Sequence, residues 1–140
     1  MSVALSVRLP EAVSGPLEAF IGRQSANRSA VVTLALDEWV RLQNHPGIRF
    51  VTLPTGERTA ALERGPEVWT VAEAWVTTDP AARSVEEVAH TTGLTAAEVE
   101  TALRYYAEFQ AEIDAELERV WQAQENERAA WQRLRGLGVR

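Results

Sequence analysis

The chain has 140 residues, 46% of them hydrophobic, and a formal net charge of −6. That length accommodates one domain or two small ones, and the apolar fraction excludes wholesale disorder. The absence of cysteine excludes disulfides and thiolate metal sites and points to a reducing, cytoplasmic setting.

The segment from Ala4 to Pro10 comes first in chain order. Ala4, Ser6 and Arg8 alternate with apolar Leu5, Val7 and Leu9, the period-two pattern of a strand with one buried and one presented face. Arg8 and Pro10 interrupt the apolar residues too early for a signal peptide. A single short strand can neither satisfy its backbone nor bury its apolar face alone. The nearest partner is the same strand of a second copy. A two-stranded antiparallel ribbon of that kind fits a DNA major groove, so a homodimer through the N-terminal strand, bound to operator DNA, is expected.

The first helix is predicted to begin after Ser14 as N-cap, with Pro16 in its first turn, because a start at Glu11 would place Pro16 in the interior. Leu17, Phe20 and Ile21 share its apolar face. Gln24 to Arg28 reads as a polar turn. Ser29 is the predicted cap of a second helix that runs to about Leu42, with Val32, Ala35, Leu36, Trp39 and Val40 inward. Asn44-His45-Pro46-Gly47 breaks it. A hairpin follows, with Ile48 to Thr52 and Arg58 to Leu62 joined by a turn at Pro54-Thr55-Gly56. Glu67 to about Val76 reads as a helix with Val68, Val71, Ala72 and Trp75 inward. Ser84 and Thr95 each open a capping-box pattern. Gly93 lies between them, where a left-handed residue is wanted, so the segment reads as a helix-turn-helix. From Tyr105 to Gly136 the chain is predicted to be helical with few breaks. Ile113, Leu117, Val120, Trp121, Trp131 and Leu134 make a sparse apolar stripe there.

The expected fold class is therefore mainly α: a ribbon-helix-helix dimer module over residues 1–44, a hairpin plus helix-turn-helix domain over 45–109, and a C-terminal amphipathic helix over 110–140. No run approaches the length of a membrane span.

Charge is uneven along the chain. Residues 1–45 carry four Arg and four acids, residues 46–109 five Arg and ten acids, and residues 110–140 five Arg and six acids. The deficit sits in the middle, so DNA contact belongs at the N-terminus. There Ala4, Ser6 and Arg8 are the candidate base contacts. Arg favours guanine through two hydrogen bonds, Ser6 adds a weaker contact, and Ala4 can touch only a methyl group. Ser29 and the amides beside it, flanked by Arg28, sit where a helix N-terminus suits a phosphate oxygen.

The helix after Gly93 presents Glu98, Glu100, Thr101, Arg104 and Glu108. Its carboxylates oppose a phosphate backbone, so packing or protein docking is its expected role. His45 and His90 lack partners at ligand spacing, and no metal or cofactor is expected. No nucleophile triad, phosphate loop or glycine fingerprint points to an enzyme. In the tail, Trp121, Arg128, Trp131 and Leu134 are the candidate partner-binding residues, since aromatic anchors are typical of interfaces.

Two resemblances rest on these residues. Residues 5–42, with the alternating strand closed by Leu9-Pro10, the turn ending Asn27-Arg28-Ser29 and the helix bearing Trp39, resemble the ribbon-helix-helix (CopG/Arc-like) regulators. That resemblance implies that Ala4, Ser6 and Arg8 face the major groove and that Ser29 and Ala30 hold phosphate. The chain departs from the pattern at Gly15-Pro16, where the family usually has a continuous helix, and at Ala4, which replaces a longer polar reader.

Residues 45–114 resemble a bacterial domain of unknown function often found in antitoxins. Their hallmarks are the hairpin, the Val-Trp helix and the helix-turn-helix followed by Tyr-Tyr. Such proteins are often encoded beside a PIN-like ribonuclease toxin. The implied function is a DNA-binding antitoxin and transcriptional autorepressor of a type II pair that neutralises that toxin. An Arg of the tail (Arg119, Arg128, Arg133 or Arg135) would then pair with the nuclease's metal-binding carboxylates. The alternatives are a stand-alone ribbon-helix-helix regulator and a dimeric adaptor without DNA binding.

Overall fold

A computed structural model describes residues 1–138. Among them are six helices and one two-stranded antiparallel sheet, in the order α1 Glu11–Gln24, α2 Arg28–Asn44, β1 Ile48–Thr52, β2 Arg58–Leu62, α3 Val68–Thr77, α4 Val85–Thr92, α5 Ala96–Glu108 and α6 Gln110–Gly136. The architecture is mainly helical. No helix among the described residues is long and apolar enough to cross a membrane.

The chain divides into two compact units, Met1–Arg41 and a second that begins at Leu42. This boundary lies inside α2, whereas the sequence places it after residue 44. The reason is Leu42, which packs against the core of the second unit.

In the N-terminal unit, residues 1–10 form neither helix nor strand. The helix α1 starts at Glu11, with Pro10 as its cap and Pro16 inside it, which corrects the expected start after Ser14. The amides of Val13 and Ser14 both reach the Pro10 carbonyl at 2.9 Å. Gly15 makes the interior proline tolerable. Proline disfavours helical backbone in the preceding residue partly through that residue's Cβ, and glycine has none. The remaining cost is the bond that an amide at position 16 would have given to the Ala12 carbonyl. Ser25 ends α1 in the left-handed region, at φ 49°. The cap of α2 is Asn27 and not Ser29: Asn27 Oδ1 accepts from the Ala30 amide at 3.0 Å, and Ser29 falls within the first turn.

In the second unit, β1 and β2 pair in the register Ile48↔Leu62 through Thr52↔Arg58. The connecting turn closes with Gly56 at φ +88°, where a side chain would be strained. Four consecutive residues of β2, Thr59 to Leu62, are buried, so both of its faces are covered. Val68, Val71 and Ala72 of α3, Val88 of α4, and Val99, Ala102, Tyr105 and Tyr106 of α5 complete the core with Ile113 and Leu117 of α6.

Local capping sets the helix ends here. Ser84 Oγ accepts from the Glu87 amide at 3.1 Å. Thr95 and Glu98 form a full reciprocal capping box. Gly93, at φ +73°, makes the left-handed turn between α4 and α5. The long C-terminal helix is interrupted at Phe109, which ends α5 and precedes α6 with φ −113° and ψ 38°. No glycine or proline marks this break. Phe109 instead packs on Tyr105, with ring centroids 4.6 Å apart, and Tyr106 Oη donates to Asp114 across the bend at 2.6 Å. Because Ile113 and Leu117 are buried, the first turns of α6 belong to the second unit's core and do not form a separate piece from residue 110.

Replacement of a fully buried aliphatic side chain tests this assignment. Ile113→Ala is expected to destabilise the second unit by about 2–5 kcal/mol through lost burial and the cavity left behind. Urea unfolding followed by tryptophan fluorescence measures it, and a cost near zero would contradict a core role for α6.

Candidate nucleic-acid and partner interfaces

The N-terminal unit leaves much of its apolar surface exposed and fully buries no side chain, although Leu17, Ile21, Val31 and Val32 are half-buried. Neither α1 nor α2 contains a buried residue. Leu5 is 75% exposed and Trp39 61%, and Val7, Leu9, Phe20, Leu36 and Val40 are also exposed. Isolated exposed apolar residues are ordinary, but a set on every segment of one unit makes that unit the candidate interaction surface.

Ala4, Ser6 and Arg8 lie in the segment without secondary structure, all exposed. Arg8 makes no ion pair or hydrogen bond among the described residues. The strand expected over this segment is therefore not formed, because its alternating pattern has no paired backbone beside it.

At the start of α2 the expected phosphate set is partly engaged. The Ala30 amide is taken by Asn27. Arg28 Nη2 donates to Glu18 Oε2 of α1 at 2.7 Å. Ser29 is exposed in the first turn. The amides of Arg28 and Ser29 have no acceptor within the helix, as at any helix start. Sequence reasoning missed Glu18 and Asn27. Asn27 carried a signal, since asparagine is a preferred cap, but Ser29 competed for the role. Glu18 carried none, because a ten-residue separation across a turn has no pattern.

The tail residues do not form one patch. Trp121 Nε1 donates to Glu73 Oε1 of α3 at 2.6 Å, which ties this indole to the second unit. Arg128 pairs with Glu125 at 3.4 Å on its own helix. Trp131 is 60% exposed, and Leu134, on the adjoining turn, is exposed too. Trp131 and Leu134 are thus open apolar side chains of the tail, as is Leu137, with Arg128, Arg133 and Arg135 near them in sequence.

On the exposed side of α5, Glu98 is committed to the capping box, and the bonds from Thr95 hold its carboxyl below the usual range. Glu108 Oε2 lies 2.5 Å from His45 Nε2, and Arg104 approaches Glu100 at 3.9 Å. These carboxylates oppose a phosphate backbone. His45 is more enclosed than a turn residue, with Tyr105 and Phe109 edge-on at 5.1 and 5.8 Å. His90 is exposed on α4. No group of three or more His, Cys, Asp or Glu among the described residues is arranged to hold a metal.

Besides Arg28, whose guanidinium pKa the bond to Glu18 raises, two further groups have perturbed titration, and each has a structural partner. Burial and the bond to Asp114 raise the Tyr106 phenol to about 12. Burial also raises the Glu116 carboxyl, opposed by the Thr59 hydroxyl, which donates to it at 2.9 and 3.0 Å. Neither lines the open cleft of about 190 Å³ between Gly47, Leu62, Arg64 and the α5 residues Ala97 and Thr101. Their roles are to fasten α6. Compared with known proteins, the chain matches no family model, no curated protein and no solved structure.

The Glu116 site yields a pH signature. Its folded pKa lies above the unfolded one, so it favours folding most at low pH and loses that contribution as pH rises through the raised value. Glu116→Gln keeps an acceptor for Thr59 and removes the charge. The variant is expected to be more stable than the parent at neutral pH by less than about 1 kcal/mol, since the group is half-exposed. The difference should shrink as pH falls into the carboxylate range. Thermal melts from pH 4 to pH 8 (about half a unit apart) check it, and a pH-independent difference would contradict the assignment.

Proposed function

We propose that the chain is a homodimeric DNA-binding autorepressor of the antitoxin type. Its N-terminal unit pairs with that of a second copy and reads operator DNA, and its tail holds a PIN-like ribonuclease. The observation that carries this reading is an N-terminal unit in which no residue is fully buried. A unit of about 40 residues rarely supplies its own core and usually needs a partner. Covering each Leu, Val or Phe side chain is worth about 1.5–3 kcal/mol. Pairing of the segment that holds Leu5, Val7 and Leu9 with its twin would cover those side chains and satisfy the backbone. It would also leave Ala4, Ser6 and Arg8 on the presented face, where two unpaired Arg8 side chains per dimer meet base edges.

The tail's part rests on Trp131 and Leu134, an exposed aromatic and aliphatic pair with arginines around it. Such anchors suit an apolar recess with an acidic rim.

Binding of the purified protein to a duplex from upstream of its own coding sequence, titrated across salt, tests the DNA reading. Arg8→Ala is expected to lower affinity at least about tenfold while the dimer persists in sedimentation. Unchanged affinity in that variant, or no binding at low salt, would leave a dimeric adaptor in place of a repressor.

For the tail, co-expression with the adjacent nuclease is the test, using Trp131→Ala combined with Leu134→Ala. Deletion from residue 110 is unsuitable, because it removes Ile113 and Leu117 from the core. The double variant is expected to lose co-purification with its fold intact, and retention of the nuclease would overturn the tail's role.

A further inference from the structure

We infer that the later turns of α6 pair antiparallel with the same helix of a second copy. The inference goes beyond the reading above. It concerns the protein before any nuclease is bound, and the nuclease would take the second copy's place on the same residues.

The helix has 27 residues but buries only Ile113 and Leu117, both in its first turns. Trp121 still reaches another element, through its bond to Glu73 of α3. Past it, side chains bond within the helix, Gln122 to Asn126 and Arg128 to Glu125. The stripe that begins in the core nevertheless continues. Leu117, Val120, Gln124, Glu127, Trp131 and Leu134 follow one another at alternating steps of three and four, the spacing of a seam between two packed helices. Leu117 is 2% exposed, Trp131 60% and Leu134 43%, so one face runs from the core into solvent.

Charge commits this face to a second copy and sets its direction. Glu112, Asp114, Glu116 and Glu118 stand in the first part of α6, and Arg128, Arg133 and Arg135 in the last, with no acid after Glu127. The helix dipole accounts for Glu112 in the first turn and for Arg133 and Arg135 in the last turn, but not for Glu118 or Arg128 between them. A parallel pair would set like charges together. An antiparallel pair sets each basic end beside the other copy's acidic one. The two polar positions of the seam agree. Parallel pairing places Glu127 against Glu127. The antiparallel register that opposes Val120 to Trp131 places Gln124 against Glu127, amide to carboxylate, and brings Arg133 level with Glu118. A polar layer of this kind fixes register and direction at some cost in stability.

The chain has no cysteine, so introduced thiols report this geometry directly. Full-length Gln124→Cys and Glu127→Cys, with tags of different mass, are co-expressed without nuclease and mildly oxidised. Both positions are exposed, and unchanged tryptophan fluorescence checks that the fold persists. The mixed disulfide is expected to exceed each like disulfide at least about fivefold, against roughly twofold for random pairing. Adding Trp131→Ala and Leu134→Ala to both chains should lower its yield at least about fivefold. Gln122→Cys, off the seam, gives the level of chance collision. An excess of like disulfides means a parallel pair and overturns the inference. So does a mixed yield at the random ratio or at the Gln122→Cys level, or one that survives the loss of Trp131 and Leu134.

Discussion

The second unit depends on the packing of Tyr105. This fully buried ring stands on α5, with His45 edge-on to it, Phe109 tilted against it and Phe50 of β1 at 6.4 Å. Through these rings the end of α2, the hairpin and the bend into α6 all converge on one helix. The bend matters because it carries Ile113 and Leu117 into the same core as α3 and α5. Without it, α5 and α6 would form one straight helix, and most of the apolar stripe of α6 would remain in water. The Tyr106–Asp114 and Thr59–Glu116 bonds hold that geometry with polar groups at the margin of the core, where hydrogen bonding offsets their burial.

The N-terminal unit presents the opposite situation. Its helices form from local signals: an extended proline cap, a glycine that tolerates Pro16, and an asparagine cap on α2. None of these supplies a core. Helices in proteins draw most of their stability from tertiary packing, and in this unit neither the 14-residue nor the 17-residue helix contains a fully buried residue. The same deficiency carries the functional proposal, since the residues that need cover alternate with the residues that would face DNA. Electrostatics adds a second restraint. The unit's charges balance, and two of its four arginines are paired to acids within it. Such a unit exerts little long-range pull on a polyanion.

Several features were legible in the sequence because each follows from contacts within a few residues. The hairpin at Ile48–Leu62, the helix beginning near Glu67, the caps at Ser84 and Thr95 and the turn at Gly93 belong to this group. The misplaced features show where that logic stops. The start of α1 depended on a balance between Pro16 and Gly15 that a rule about interior proline decides wrongly. The cap of α2 depended on which of two suitable residues the backbone presented. The break at Phe109 has no breaker residue and is set by aromatic packing. Among the candidate site residues, Arg8, Trp131 and Leu134 are as open as their surface character suggests, but Trp121 is tied to Glu73 and Arg28 to Glu18.

The sequence alone determined a mainly helical chain with one hairpin, the caps at Ser84 and Thr95, the turn at Gly93 and the placement of charge, because propensity, capping and periodicity act over a turn or two. Only the tertiary structure decided that α6 begins inside the core, that the unit boundary falls within α2, and that the N-terminal unit fully buries no residue. It alone also showed which arginines and tryptophans are already engaged. Those outcomes depend on residues far apart in sequence competing for the same apolar surface or the same charge, and no local pattern records which of them wins.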